Sequence, residues 1–214
     1  MLKVNEIFYS IQGESSYAGL PCVFVRLTGC NLRCSYCDTR YAYEEGKELE
    51  IGEIINRVTS YCCRLVEVTG GEPLIQEETP HLIYQLVEKG FEVLLETNGS
   101  LDISLVDERC IKIVDIKCPS SGQDKKNDLE NLKRLSVKDE IKFVIGSKED
   151  YLYAQNIMSL IKKTNLNIKP PLLSPLYNRI DPKLLAEWIL ADHIDVRLQI
   201  QLHKIIWGTE ARGV

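Results

Sequence analysis

The chain has 214 residues, of which 44% are hydrophobic and 27% are charged, as is ordinary for a soluble globular protein. Its formal net charge of −5 argues against bulk binding of nucleic acid, because such binding requires a basic face. No low-complexity linker or shift in composition divides the sequence, so we expect a single domain over residues 1–214.

No segment of the sequence resembles a targeting signal or a membrane span. The N-terminal residues lack the apolar run of a signal peptide, and no stretch approaches the ~20 apolar residues that span a bilayer. We therefore expect a cytoplasmic protein, in which thiols stay reduced. The 8 cysteines are then expected to be metal ligands or buried thiols, not a disulfide framework.

Short β-branched or apolar runs predict seven strands. They cover residues 22–27, 65–69, 91–96, 111–116, 140–145, 167–173 and 195–202. Helices are predicted where apolar residues recur at helical spacing, namely at 51–62, 79–89, 150–163 and 182–191, with shorter helices at 103–109 and 127–135.

Strands that alternate with helices imply βαβ units and a parallel sheet. The pattern gives about six units plus a final strand, whereas a closed eight-fold barrel typically needs ~250 residues. Other residues form an N-terminal segment and a long loop at 28–50. We therefore predict an α/β fold that is a partial, open parallel β/α barrel.

Polar and glycine-containing motifs directly follow the predicted strands. They are TGC, TGGEP, ETNGS, KCPSSG, GS, LSPLYNR and QLHK, at residues 28–30, 69–73, 96–100, 117–122, 146–147, 173–179 and 201–204. Loops ordinarily contain glycine and polar residues, but that alone does not explain a glutamate, an asparagine, a lysine and a histidine so close to strand ends. Because the carboxyl ends of parallel barrel strands form active sites, the motifs predict one at this rim.

Three cysteines, Cys30, Cys34 and Cys37, have the spacing C-x3-C-x2-C. Residues this close cannot all point one way from a helix or strand, but they can surround a compact inorganic core from a loop. Thiolates select zinc or iron–sulfur clusters. A zinc site would need a fourth ligand from a histidine or another cysteine. A four-iron cluster held by three cysteines would instead leave one iron with an open coordination position.

The cysteine spacing in a chain of βα units resembles the radical S-adenosylmethionine (SAM) superfamily. The resemblance implies a [4Fe-4S] cluster whose unique iron is chelated by SAM, and reductive cleavage of SAM to a 5′-deoxyadenosyl radical. Tyr36 matches an aromatic residue near the adenine, and residues 69–73 resemble the superfamily's GGEP motif. We expect the glycines to allow close backbone approach and Glu72 to accept hydrogen bonds from an ammonium group.

Further motifs resemble the 7-carboxy-7-deazaguanine synthase family, from about residue 4 to the end of the chain. They are IQGES, CDTRY, KCPSSG and QLHKIIWG, at residues 11–15, 37–41, 117–122 and 201–208. The resemblance implies conversion of 6-carboxy-5,6,7,8-tetrahydropterin to 7-carboxy-7-deazaguanine with loss of ammonia, on the route to queuosine and other 7-deazapurines. It also implies SAM as a regenerated cofactor, assistance by Mg²⁺, an external electron donor of the flavodoxin or ferredoxin type, and a homodimer.

The family's cofactor contacts carry over to matching positions. Cys30, Cys34 and Cys37 match the cluster ligands, and Thr39 matches the magnesium ligand. From the residues alone, a turn cap is a better interpretation of Asp38-Thr39 than a magnesium site. The resemblance instead favours the magnesium site. The residues that match SAM contacts are Tyr36, Cys37, Asp38, Gly71, Lys117, Cys118, Pro119 and Ser120. The family usually has proline where this chain has Cys118.

The residues that match substrate contacts are Gln12, Gly13, Glu14, Arg26, Thr69, His203 and Val214. Arg26 matches a clamp for the substrate carboxylate, for which a bidentate guanidinium is the natural partner. It alternates with apolar Val25 and Leu27 on a predicted strand, so we expect it to point inward, the alternative being a surface arginine on an edge strand. His203 is expected at the end of the last strand.

Other functions stay open on the sequence. A glycyl-radical-enzyme activase would belong to the same superfamily, but the short chain, the pterin-type N-terminal motif and Arg26 count against it. A zinc-stapled binding module without catalysis could use the same three cysteines. A ferredoxin-like electron carrier would need a fourth cysteine near the cluster, and Cys22 lies within a predicted strand.

Overall fold

A nine-stranded sheet is the scaffold of the protein, in a computed structural model that describes residues 1–163, 168–209 and 211–214. Its strands are Leu2–Ile11 (β1), Pro21–Leu27 (β2), Lys47–Leu49 (β3), Leu65–Gly70 (β4), Glu92–Thr97 (β5), Ile111–Asp115 (β6), Glu140–Ile145 (β7), Leu172–Pro175 (β8) and Arg197–Leu198 (β9). The helices are Ile51–Ser60 (α1), Thr79–Glu88 (α2), Asn131–Arg134 (α3), Lys148–Lys163 (α4), Pro182–Ala191 (α5) and Leu202–Ile206 (α6). Within the described ranges, no helix is long and apolar enough to cross a membrane.

All the predicted strands are present, and β2, β4, β5, β6, β7, β8 and β9 pair in parallel in that spatial order. The sheet is open, because β3 lies at one edge and β9 at the other. The predicted open parallel β/α fold is thus confirmed. The last strand is far shorter than the predicted 195–202. Of the sixth predicted strand, 167–173, only residues 172 and 173 lie in β8, and residue 167 lies outside the described residues.

The predicted long helices are also present, and the first turn of α5 is capped. In α5, the side chain of Asp181 accepts a hydrogen bond from the Lys183 amide at 2.9 Å, and Pro182 occupies the first turn. The two short predicted helices are smaller than expected. Residues Ile103–Leu105 form a 3-10 turn, and only Asn131–Arg134 is helical in the second segment.

The N-terminal segment forms a strand that the sequence pattern did not reveal. β1 pairs antiparallel with β2 and with β3, which lies within the predicted loop at 28–50. Its register on β2 shifts between Val4 and Glu6, so that Asn5 is the extra residue of a β-bulge. Val4 packs in the core beneath the helices, whereas Phe8 packs on the opposite face of the sheet. The bulge therefore breaks the alternation that would have predicted this strand.

The inner face of the sheet changes from apolar to polar along the strands. Its amino-terminal part is a small apolar core of Phe8, Cys22, Phe24, Leu65, Leu94, Ile111 and Ile113. Nearer the carboxyl ends, the inward positions carry Arg26, Thr69, Glu96, Asp115 and Lys142, all of which line a cavity. The larger cores lie between the outer face and the helices.

Candidate functional site

A cavity of about 330 Å³ lies at the carboxyl ends of the parallel strands, where the strand-end motifs predicted an active site. All the predicted site residues line it except Cys118, Pro119 and Ser120. The side chain of Cys118 is fully buried and packs in the core with α4. These three residues, which were predicted to contact SAM, therefore do not line the cavity, and their contact with SAM stays a prediction.

The cysteine loop, residues 30–37, forms one side of the cavity. Cys30, Cys34 and Cys37 are all partly buried free thiols that line the cavity. Burial raises the pKa of Cys30 and Cys34. The loop is held by Ser35, whose amide donates to the carbonyl of Ser121 at 3.0 Å and whose hydroxyl donates to the carbonyl of Ser120 at 2.7 Å. Ser120 and Ser121 thus brace the cysteine loop from outside the cavity.

The glycines of the TGGEP motif let the cysteine loop pack against the end of β4. A Cβ on Gly71 would lie 2.1 Å from the carbonyl oxygen of Gly29 and 2.7 Å from Cβ of Cys30. Gly70 has a φ of +146°, and a Cβ there would lie 2.2 Å from the carbonyl oxygen of Leu27. A side chain at Gly71 would push the first cysteine out of place, and one at Gly70 would collide with the backbone of β2.

Glu72 of the TGGEP motif lies behind the cavity wall. It is fully buried and does not line the cavity. Its carboxylate accepts hydrogen bonds from the amides of Asn98 at 2.7 Å and Leu74 at 3.0 Å and from the hydroxyl of Thr97 at 2.8 Å. Through these donors Glu72 ties the ends of β4 and β5 together, and the expected contact with a ligand ammonium group stays a prediction.

Asn98 points a fixed donor at the first cysteine. Its Oδ1 accepts hydrogen bonds from the amide of Ser100 at 3.0 Å and from the Ser100 hydroxyl at 2.6 Å. The amide nitrogen Nδ2 therefore faces the opposite way, 3.9 Å from Sγ of Cys30 and 3.1 Å from Oδ1 of Asn31. The prediction that ETNGS follows a strand was correct, but no feature of the sequence indicated this contact.

Asp38 and Thr39 form a hydrogen-bonded pair next to the third cysteine. The Thr39 hydroxyl donates to Oδ1 of Asp38 at 2.9 Å, and Nζ of Lys204 lies 2.8 Å from Oδ2. The Asp38 side chain is 52% exposed, and partial desolvation beside the cavity opposes its ionisation. The Lys204 ammonium outweighs this effect and lowers the pKa of Asp38 to about 2. Lys204, on α6, was not among the predicted site residues.

A buried ionic cluster, which we call the Lys142 cluster, forms the floor of the cavity. Nζ of Lys142 lies 2.8 Å from Oε2 of Glu14 and 3.6 Å from Oδ2 of Asp115, and it also contacts Glu96. A second ammonium group, on Lys117, lies 2.8 Å from Oδ2 of Asp115. Burial raises the pKa of Glu14, but Lys142 outweighs this effect and the pKa falls to about 2. Sequence reasoning found Glu14 and Lys117 and missed the other three.

Glu67 lies beside this cluster, and its pKa is shifted in the opposite direction from that of Glu14. Burial and the neighbouring carboxylates Glu96 and Glu14 raise its pKa well above its ordinary value. Nε2 of Gln12 donates to its Oε2. The signal available in the sequence was a charged residue at an inward position of β2, β4, β5, β6 and β7, visible only once the strand register is known.

The segment that follows β1 closes the cavity against the segment that follows β9. The amide of Ser15 donates to Oε1 of Gln199 at 3.1 Å, and the amide of Leu202 donates to the carbonyl of Gly13 at 3.0 Å. Nε2 of Gln201 donates to Oε1 of Glu14 at 2.9 Å. These contacts join the two ends of the open sheet across the cavity.

His203 does not end the last strand as expected, because β9 ends at Leu198 and His203 lies on α6. Its ring nevertheless reaches the cavity and packs on Gly13, where a Cβ would lie 2.3 Å from Nδ1 of His203. Burial lowers the pKa of His203, so the ring is mainly neutral at pH 7.

Arg26 points into the cavity, as the strand alternation predicted. Val25 and Leu27 pack on the opposite face, in the core beneath the helices. The guanidinium is mostly buried, and its Nε lies 2.7 Å from Oε1 of Glu6. Val214 lines the same cavity, and the guanidinium of Arg212 stacks 3.9 Å from the ring centroid of Tyr41.

The donor set at the cysteine loop fits an iron–sulfur cluster and a ligand beside it. Three thiols face one cavity, and the buried hydroxyl of Tyr36 has no hydrogen-bond partner among the described residues. Among residues 1–163, 168–209 and 211–214, no three His, Cys, Asp or Glu side chains are placed to hold a single metal ion.

Comparisons with known proteins identify the family. Residues 24–121 match the model of the radical SAM superfamily. The chain is 46% identical to a 7-carboxy-7-deazaguanine synthase of Chlorobaculum tepidum, covering 100% of this chain and 97% of the relative. It is 42% identical to a 7-carboxy-7-deazaguanine synthase of Koribacter versatilis, covering 100% of both.

Solved structures show the same fold at lower identity. The crystal structure of QueE from Escherichia coli has a TM-score of 0.75 at 24% identity, covering 94% of this chain and 93% of that chain. SuiB of Streptococcus suis bound to S-adenosylmethionine has a TM-score of 0.56 at 13% identity over 81% of this chain and 45% of its own. With the cysteine loop and the full-length relatives, these findings show that the chain belongs to the 7-carboxy-7-deazaguanine synthase family of the radical SAM superfamily.

Proposed function

We propose that this protein converts 6-carboxy-5,6,7,8-tetrahydropterin to 7-carboxy-7-deazaguanine, with loss of ammonia, using a [4Fe-4S] cluster and SAM. The observation that carries the proposal is that the three cysteines and the inward-facing Arg26 line one cavity. The two relatives that match over the whole chain are both named 7-carboxy-7-deazaguanine synthase. The route to queuosine or another 7-deazapurine is the pathway that this product would serve.

Cys30, Cys34 and Cys37 would hold the cluster, since thiolates are its usual ligands. Tyr36, Asp38, Gly71 and Lys117 would contact SAM, and residues 118–120 would support that site through the brace on Ser35. When bound, the cluster and SAM supply the one-electron chemistry that starts the reaction. The Thr39 hydroxyl would be a ligand of Mg²⁺, with further ligands from substrate oxygens and water.

The chain's own work would be to bind and orient the pterin. Ionised Glu14 can accept hydrogen bonds from the amino and ring N–H groups of the pterin, and the Gln12 amide and Gly13 main chain can complete this edge. Arg26 would pair with the substrate carboxylate, and Thr69 and His203 would contact the same ligand. The contacts between residues 13–15 and 199–202 would exclude water, which strengthens every polar contact inside.

The partners follow at a coarser level. A radical SAM enzyme of this family uses a small-molecule substrate and an external reductant. We further propose that the reductant is of the flavodoxin or ferredoxin type, that the protein is a homodimer in the cytoplasm, and that residues 1–214 form one domain. The single sheet to which all the described strands belong supports the last of these proposals.

Incubation of the anaerobically reconstituted, reduced protein with carboxy-tetrahydropterin, SAM and Mg²⁺ tests the function. We expect 7-carboxy-7-deazaguanine by mass spectrometry, with SAM largely unconsumed and no product when SAM is omitted. A brown protein that cleaves SAM but makes no deazaguanine would refute the assignment and favour the activase alternative. A colourless protein without iron or sulfide would favour the zinc module.

The Arg26→Ala variant tests the carboxylate clamp. We expect it to retain full iron and sulfide content, because Arg26 is not in the cysteine loop, and to raise the KM for the pterin. The iron content and the steady-state kinetics are measured on the same preparation. An unchanged KM would remove Arg26 from this role.

A further inference from the structure

The β-bulge in β1 places Glu6 directly opposite Arg26. Val4 pairs with Leu27, so a regular antiparallel register would place Asn5 opposite Arg26. The extra residue moves Glu6 to that position and turns it to the inner face of the sheet. Bulges often occur next to active sites, where they redirect a side chain. This bulge brings a carboxylate, in place of a carboxamide, to the guanidinium in the cavity.

Two hydrogen-bond donors and two aromatic rings fix the geometry of the Glu6–Arg26 pair. Oε1 of Glu6 accepts from Nε of Arg26 at 2.7 Å and from the Tyr41 hydroxyl at 3.1 Å. The guanidinium carbon lies 5.6 Å from the ring centroid of Phe8 and 6.0 Å from that of Tyr41. Burial raises the pKa of Tyr41 to about 12, so its hydroxyl stays protonated and donates. The orientation of Arg26 is therefore set before any ligand arrives.

This orientation restricts how Arg26 can receive a carboxylate. A guanidinium can bind a carboxylate side-on, through Nε and one terminal nitrogen, or end-on, through Nη1 and Nη2. Glu6 occupies Nε, which leaves the end-on mode. Neither Nη1 nor Nη2 donates a hydrogen bond to any of the described residues, and the guanidinium lines the cavity.

We propose that Glu6 is a positioning residue that turns Arg26 so that it takes the substrate carboxylate end-on and thereby selects a 6-carboxylated pterin. The inference rests on the proposed function. A merely structural ion pair would have no need of the bulge. Arg26 lines the cavity, and Glu6, which is not among the lining residues, contacts it from behind; the two side chains are 17% and 20% exposed. Glu6 acts through Arg26 and not on the reacting atoms.

The test measures two non-reactive ligands on the anaerobic holoenzyme with cluster and SAM bound. Equilibrium dialysis gives the Kd of pterin-6-carboxylate and of pterin, which lacks the carboxylate. We expect Glu6→Gln to weaken the carboxylated ligand about tenfold, because a misoriented fork loses one charge-assisted hydrogen bond. The Kd of pterin should stay within about twofold, which also shows that the variant is folded.

A double-mutant cycle separates positioning from general stabilisation. In an Arg26→Gln background, Glu6→Gln should cause no further loss for pterin-6-carboxylate, because its effect passes through Arg26. The matched control is Glu53→Gln, which removes the carboxylate of a surface pair with Arg57 on α1, at 2.7 Å, and should leave both Kd values unchanged.

Three results would overturn the inference: wild-type affinity of Glu6→Gln for pterin-6-carboxylate, equal weakening of both ligands, or an undiminished effect in the Arg26→Gln background. The reaction assay is run in parallel. Loss of carboxylate discrimination in Glu6→Gln, with no deazaguanine made by the wild type, would support the Glu6–Arg26 pairing while refuting the proposed function. If the wild type makes deazaguanine but Glu6→Gln still discriminates between the two ligands as the wild type does, the proposed function would be supported and the role of Glu6 refuted.

Discussion

Replacement of Lys142 by methionine should destabilise the fold strongly at neutral pH. The substitution keeps the length of the side chain and removes the ammonium group that contacts Glu14, Glu96 and Asp115. The Lys142 side chain is only 5% exposed, so water cannot replace it. Removal of one partner from a buried ion pair costs about 3–5 kcal/mol. Lys117 remains beside Asp115, but Glu14 and Glu96 lose their cation.

The pH dependence of this effect has a definite sign. In the wild type, the pKa of Glu14 falls from 4.5 to about 2, which corresponds to about 3 kcal/mol of stability. That contribution is complete above pH 4.5 and is lost as the pH falls towards 2. Without Lys142, burial raises the folded-state pKa of Glu14 above 4.5, so the variant loses stability as the pH rises. The difference in the free energy of unfolding between the wild type and Lys142→Met should therefore be larger at pH 7.5 than at pH 5.

Thermal unfolding of the cluster-free proteins, followed by circular dichroism, measures this difference. We expect a Tm about 10 °C lower for Lys142→Met at pH 7.5, since each kcal/mol shifts Tm by about 2–4 °C at this chain length. The control is Lys183→Met, whose side chain is 80% exposed and which should change Tm by less than about 1 °C. A Tm loss below about 2 °C, or an equal loss at both pH values, would refute the reasoning.

Further predictions concern the cysteine loop. Gly71→Ala should prevent cluster assembly, measured as iron and sulfide content, because the added Cβ would lie 2.1 Å from the carbonyl oxygen of Gly29. The control is Gly52→Ala, whose Cβ would have no atom within 4 Å and which should keep its full iron and sulfide content. Asn98→Ala should move the cluster's midpoint potential to a more negative value in an EPR-monitored titration, because it removes a hydrogen bond to the Cys30 sulfur. An unchanged potential would exclude that contact. Cys34→Ala should abolish both cluster assembly and SAM cleavage, and retained iron would remove Cys34 from the ligand set.

The parallel part of the fold could be predicted because its strands are short apolar runs separated by amphipathic helices. β7 shows this best, since the predicted run 140–145 has the same bounds as the strand. β1 could not be predicted, because its bulge inverts the alternation partway along. β9 was overestimated, since residues 199–201 leave the sheet to contact the segment after β1. These tertiary contacts have no local sequence signal.

The candidate site was predictable where its residues are adjacent in sequence. The cysteine loop and the TGGEP motif each lie within a few residues, so their spacing alone indicates a site. The Lys142 cluster draws residues from different strands, and only the register of the sheet brings them together. Glu72 shows the converse, because its motif was recognised but the contacts of its carboxylate could only be seen in three dimensions.

Tyr41 links the cysteine loop to the substrate side of the cavity. It lies in the 3-10 turn Arg40–Tyr43 that follows the loop, and its hydroxyl donates to Glu6, which orients Arg26. Its ring is also the surface on which Arg212, in the C-terminal segment, stacks. The turn that ends the cysteine loop, the proposed carboxylate clamp and the C-terminal segment therefore share one side chain. Because Arg26 is oriented through this tyrosine, displacement of the cysteine loop would also disturb the clamp, so the cofactor and substrate sites depend on the same local packing.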